Sequence, residues 1–286
     1  MQFYNPNIDK SQYVIATYYM RSRNADLRKT AWDLAIGQSV GNPNVRNQWE
    51  TEELFEKSSC VIVHDKDELK HLTEGEVKIA FPIINTDWVG DGVSHLLCQL
   101  MGGQVDIDTF DSCRLRHIEF PEAVKKYFLG PAHGITGMRN YTKQSNKPFS
   151  GAIVKPKTGM PASTLLDMVK ELVDGGCDFI KEDEIMAQNL YLPLEKRVEA
   201  VEHLKAISSW KGFFAYCINA DPLELVKNIK IIHYHTCSDN VVGGCHINFW
   251  SGLGAYTAAR GFDIATHYPV SYTHLRAHET GRNRVC

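Results

Sequence analysis

The sequence predicts an α/β protein in two parts: an N-terminal α+β (ferredoxin-like) domain over residues 1–145, then a truncated (β/α)8 TIM barrel over 146–269. Three observations predict it. Up to about residue 142, strand-like and helix-like stretches mix without strict alternation. After the polar loop Thr142–Pro148, short apolar runs alternate with amphipathic stretches in five βα steps. The charged residues most suited to chemistry fall where those apolar runs end, the face on which such barrels carry their sites. A doubly wound open sheet shares this periodicity, but no GxGxxG follows the first strand.

In the first part, residues 12–22 (QYVIATYYMRS) predict a strand and 25–36 (ADLRKTAWDLAI) an amphipathic helix. SCVIVHD (59–65) and EVKIAFPII (76–84) predict two more strands, Val93–Met101 a helix and CRLRHIEF (113–120) a strand. Pro121 then opens a short helix, since a first-turn proline loses no hydrogen bond there. In the second part the spacing predicts strands at 152–154, 177–181, 213–218, 245–250 and 263–267. Between them it predicts helices at 162–174, 194–208, 222–230 and 254–260.

At 286 residues, 43% hydrophobic and with a net charge of −3, the chain suits a globular protein of one large domain or two smaller ones. That charge leaves no electrostatic footprint for nucleic acid or an anionic membrane surface. No apolar run approaches the ~20 residues of a membrane helix. The start, MQFYNP, lacks a basic region followed by an apolar core, so no signal peptide is expected. Eight cysteines lie scattered without a CxxC pair, and Cys60, Cys98, Cys177 and Cys217 sit among apolar neighbours. Together these predict buried thiols in a reducing cytoplasm.

The stretch GGCDFIKEDE (175–184) carries the strongest chemical signal. Alternation along a strand puts Lys181 and Asp183 on the face of Phe179 and Glu182 on the other, and a turn can bring Glu184 back beside Asp183. Two carboxylates at a strand end suit a hard cation such as Mg2+. An ammonium is no ligand, so Lys181 either pairs with the acids or is converted by CO2 to a carbamate. The competing reading is a solvated charge run beyond a core strand. His203 reads as a surface residue, and His233 and His235, without a nearby Cys or acid cluster, predict no zinc site.

GAIVKPKTGM (151–160) resembles the first barrel strand of the large subunit of ribulose-bisphosphate carboxylase/oxygenase (RuBisCO), and GGCDFIKEDE resembles the second. GPAHGITGMRNY (130–141) resembles the family's approach to the barrel, Cys217-Ile218-Asn219 its third strand's end and HINFWSG (246–252) its fourth. The resemblance implies that Lys181, as a carbamate, with Asp183 and Glu184 holds Mg2+. It implies Lys155 and Lys157 as catalytic lysines, a site role for His267 and substrate contact for Asn219. It also implies a phosphorylated small-molecule substrate and a homodimer or higher homo-oligomer. The stretch IGQSVGNP (36–43) lacks the acid and tryptophan by which RuBisCO completes a neighbour's site, and Gly103-Gln104 replaces a Gly-Asn pair. These departures are similar to those of RuBisCO-like proteins (form IV type), the branch that enolises, isomerises or decarboxylates phosphorylated sugar-like compounds. A divergent carboxylase and a non-catalytic scaffold remain alternatives. Residues 270–286 resemble translated sequencing-adapter sequence. The chain as it stands is then expected to lack strands six to eight and to be inactive, the full gene product active.

Overall fold

The structure is a computed structural model that describes residues 3–23, 26–104, 107–186, 190–236 and 243–267. It divides into two compact units, one ending at Phe128 and the other beginning at Leu129. Residues 129–145, grouped by the sequence reading with the first domain, contribute the helix Gly134–Thr142 (α5) to the second unit.

In the first unit β1 (Tyr13–Ser22) is central, paired antiparallel with β3 (Glu74–Pro82) on one side and β4 (Phe110–Glu119) on the other. β2 (Val61–Ile62) lies outside β3, giving the order β2-β3-β1-β4. With α1 (Leu27–Gly37) after β1 and α3 (Gly92–Met101) before β4, this is the split βαβ arrangement of ferredoxin-like folds. Alternation along β1 buries Ala16, Tyr18 and Met20 against Leu27, Ala31 and Leu34 of α1 and Leu96 and Leu100 of α3. The Tyr18 hydroxyl, buried with them, donates to Leu100 O at 2.7 Å. Asp26 caps α1 by accepting from the Arg28 and Lys29 N–H groups. Two short helices, α2 (Glu52–Ser58) and α4 (Glu122–Lys125), complete the unit. The strand expected over 59–65 shrinks to two residues, because the chain turns away at Asp65-Lys66-Asp67, where Glu68 N–H donates back to Asp65 O.

The second unit is a parallel sheet of β5 (Gly151–Ile153), β6 (Phe179–Lys181), β7 (Phe213–Cys217), β8 (Gly244–His246) and β9 (Ala265–His267), in chain order. One helix fills each crossover: α6 (Ala162–Asp174), α7 (Leu194–Ser208), α8 (Pro222–Thr236) and α9 (Gly254–Gly261). An order that never reverses, with right-handed crossovers, keeps the helices on one face; this is the wall of a barrel, not a doubly wound sheet. Leu165 and Val169 of α6, Val198 and Val201 of α7 and Ile229 and Ile232 of α8 bury against Ile180, Phe214, Tyr216 and Ile247. β8 comes so close to β7 that a Cβ on Gly244 would lie 2.1 Å from Phe214 O, a contact only glycine avoids.

Three boundaries differ from expectation. Cys177 still closes the end of α6, donating its N–H to Leu172 O after Gly176 at φ +82°, so β6 starts at Phe179. β8 stops at His246 because Asn248 accepts from the Trp250 N–H and starts a tight turn. α8 runs on to Thr236, carried by the buried residues Ile229, Ile232 and Thr236. Cys98 is exposed rather than buried, lying on the outward side of α3. No helix among the described residues is long and apolar enough to cross a membrane. The tail 270–286 lies outside the described residues.

Candidate active site

The register of β5 and β6 assembles the charged group. Ile153 pairs with Lys181, and the Val154 N–H donates to Lys181 O at 2.9 Å. Lys155 and Lys157 therefore leave the end of β5 beside Asp183 and Glu184 at the end of β6. Lys155 Nζ hydrogen-bonds Asp183 Oδ2, and Lys157 Nζ lies 3.6 Å from Asp183 Oδ1. The Asp183 side chain is 5% exposed and also accepts from the Ile185 N–H at 3.3 Å. Lys181, with its side chain 8% exposed, ion-pairs with Glu184 at 3.7 Å. The five residues expected on strand ends are thus brought together. Burial pushes the Asp183 carboxyl up, but the Lys155 hydrogen bond, the Ile185 N–H and the two lysine charges outweigh it and hold it below its ordinary value. The hydrogen bond to Asp183 in turn raises Lys155.

Glu182 points the other way, as alternation requires, and is fully buried. Its Oε1 accepts from Arg197 Nε and its Oε2 from the Cys217 N–H, each at 2.8 Å. Arg197, equally buried, spends its other nitrogens on Leu192 O and Cys217 O. Burial raises the Glu182 carboxyl, with Arg197 opposing. This pair, behind the site, was not singled out from sequence; a Glu and an Arg fifteen residues apart carry no signal until β6 and α7 pack together.

Asn219 is anchored by the protein itself. Its Nδ2 donates to Glu184 O at 2.9 Å, and its Oδ1 accepts from Asn248 N at 2.7 Å and Ser251 Oγ at 3.2 Å. It ties the Glu184 turn to the loop after β8. His267 ends β9 opposite His246, their ring centroids 5.5 Å apart, with Phe179 at 5.0 Å. It lines a cavity of about 560 Å3 with Phe179, Phe213 and Met138 on the inner side of the sheet. His246 was missed as a site residue; it is fully buried, with Nδ1 2.8 Å from Glu182 O.

Burial lowers both histidines from 6.5 to about 4, helped for His246 by the Lys181 charge and for His267 by His246 and Lys181. The unfolded chain therefore binds protons that the folded chain refuses as pH falls from 6.5 to about 4. Stability is at its full value above that window and declines through it, by up to about 3 kcal/mol for one such group. Urea unfolding at pH 7.0 and 4.5 checks this: a lower midpoint at the acid pH with an unchanged slope is expected.

The sequence reading found no acids near His235, and the structure brings two to it. Glu195 and Glu199, one turn apart on α7, come to it so that the three ligand atoms lie within 4.8 Å of one another. They form a candidate metal-coordinating group on the outer helices, apart from the strand-end site. The acids lie some forty residues upstream, which is why sequence proximity did not reveal them.

Comparison with known proteins agrees with this architecture. Residues 134–260 match the family model of the ribulose bisphosphate carboxylase large chain, catalytic domain. A 3-oxo-isoapionate-4-phosphate decarboxylase of Rhizobium etli is 31% identical over 212 residues, 69% of this chain and 50% of that protein. A 2,3-diketo-5-methylthiopentyl-1-phosphate enolase of Geobacillus kaustophilus is 31% identical over 194 residues, 65% of this chain and 45% of its own. The crystal structure of a rubisco-like protein from Burkholderia fungorum superposes with a TM-score of 0.75 at 20% identity, covering 94% of this chain and 67% of that one. The chain spans about half the length of the curated relatives it matches.

Proposed function

The chain belongs to the RuBisCO large-subunit superfamily, as a RuBisCO-like protein, and from that premise we propose that the full-length protein catalyses Mg2+-dependent enolisation of a phosphorylated keto sugar or a related compound. The observation that carries this reading is the convergence of Lys155, Lys157, Lys181, Asp183 and Glu184 at two adjacent strand ends. The two relatives described above are both named for phosphorylated carbonyl compounds, one a decarboxylase and one an enolase, which supports the substrate class.

The donor set fits a hard divalent cation. Asp183 and Glu184 already gather cationic lysines, and oxygen ligands are what Mg2+ prefers. Lys181 fits only as its carbamate, because an ammonium has no lone pair to offer. When bound, the carbamate and Mg2+ supply oxygen ligation and a positive charge beside the oxygen on which negative charge develops. Lys155 and Lys157, about half exposed, stand on the open side where a substrate carbonyl approaches. Their ammonium groups stabilise a developing enolate oxygen, and a lysine made neutral by a neighbouring cation can take the proton from the adjacent carbon. Asn219 holds the Glu184 turn in place. His267 stands at the inner rim, where burial keeps it neutral at pH 7. The reading includes a homodimer or higher homo-oligomer in the cytoplasm.

The test is to incubate the full-length protein with CO2 and Mg2+ and examine Lys181 by intact mass and crystallography. A carbamate on Lys181 with metal on Asp183 and Glu184 is expected, together with solvent exchange of the proton beside a phosphorylated ketone's carbonyl. An unmodified Lys181 with no metal at saturation refutes the reading.

A further inference from the structure

His246 is fully buried at the end of β8, and its two ring nitrogens are treated very differently. Nδ1 lies 2.8 Å from Glu182 O, and a carbonyl can only accept, so Nδ1 carries the ring proton. Nε2 is then a bare lone pair. It is buried and meets no hydrogen-bond partner among the described residues. A buried acceptor left without a donor is uncommon and asks for a reason.

The ring reaches Glu182 O, so it stands beside the end of β6, where Lys181 is the preceding residue. Strand pairing runs from Lys181 to Ala215 and from Cys217 to His246, so the two side chains belong to the same face at the same end of the sheet. The ion pair of Lys181 with Glu184, at 3.7 Å, is too long to be a hydrogen bond.

We propose that His246 is a positioning residue for Lys181, its Nε2 accepting the N–H of the carbamate formed there. The inference rests on the carbamate reading above and names what holds that group. Lys181 Nζ loses one proton to solvent, its lone pair forms a bond to the carbon of CO2, and a second nitrogen proton leaves to solvent. Two protons are released, and the product nitrogen keeps one N–H. The carbamate oxygens face the cation, so that N–H needs a neutral acceptor in a buried place. Nε2 of His246 is such an acceptor, and it points the carbamate toward Asp183 and Glu184. The imidazole stays neutral throughout.

Two substitutions separate this role from simple packing. H246N can keep the donor to Glu182 O but has nothing at the Nε2 position, whereas H246Q can place an acceptor oxygen there. The full-length protein is titrated with 13CO2 at fixed pH and Mg2+, and the carbamate carbon is followed by NMR. H246N is expected to need about tenfold more CO2 for half-modification, the equivalent of one lost hydrogen bond, and H246Q to stay within about threefold of wild type. A merely structural role gives the reverse order, and that result overturns the proposal. Should the variants fail to fold, the 15N signal of His246 Nε2 in the wild type decides: it moves on carbamylation if the bond forms, and an unmoved signal overturns the proposal. Wild type without any carbamate overturns the enolisation mechanism as well; wild-type carbamate with an unchanged H246N overturns the His246 role alone.

Discussion

Replacing Arg197 with methionine is expected to destabilise the barrel unit by about 3–5 kcal/mol, enough to unfold a marginal domain. Arg197 and Glu182 are both fully buried and joined at 2.8 Å. Removing the guanidinium leaves a carboxylate with the Cys217 N–H as its remaining donor. It also removes the Arg197 hydrogen bonds to Leu192 O and Cys217 O. The protein's escape is to protonate Glu182, whose carboxyl burial already raises. The R197M variant should therefore be less unstable at pH 5 than at pH 7, relative to wild type, since a carboxyl raised in the folded state favours folding as pH falls. The double variant E182Q/R197M removes the buried charge altogether and should recover more than half of the loss. Urea unfolding of the four proteins in a double-mutant cycle measures this, and additive losses would contradict the coupling.

The second large effect concerns chemistry rather than folding. D183N should lower Mg2+-dependent proton exchange by about a thousandfold or more, because an amide is a poor ligand for a hard cation. Its effect on stability should be small, about 1 kcal/mol or less, since the two lysines paired with Asp183 are about half exposed and can be hydrated instead. Exchange of the substrate proton, followed by NMR in deuterated water across a Mg2+ titration, gives the first number; unfolding gives the second. Near-normal exchange with D183N at saturating Mg2+ would remove Asp183 from the ligand set. The contrast with R197M is informative, because adjacent residues of one strand end, Glu182 and Asp183, then govern stability and activity separately.

That division was partly legible. Period-two alternation alone assigns Lys181 and Asp183 to one face and Glu182 to the other, and the structure places Glu182 opposite. What Glu182 meets there was not legible, since Arg197 belongs to α7 and comes to it only through packing. The cluster of Glu195, Glu199 and His235 escaped for the same reason. Asn219 was visible as a strand-end amide, but its engagement with Glu184, Asn248 and Ser251 depends on three loops meeting.

Local spacing in the sequence accounts for α1, α3, β1, β3 and β4 of the first unit and for the five strands and four crossover helices of the second, in order, and it sets the lysines and acids of 155–157 and 181–184 at strand ends; α2 and α5 were not foreseen. Which charges are buried and paired follows from packing between distant segments, as with Glu182 and Arg197. Local rules act over a few residues and are written in neighbouring side chains. Burial, pKa and hydrogen-bond satisfaction depend on what distant strands bring into contact, as His246 demonstrates: in sequence only the first residue of HINFWSG, with no role assigned to it, it becomes a buried imidazole with one nitrogen against Glu182 O.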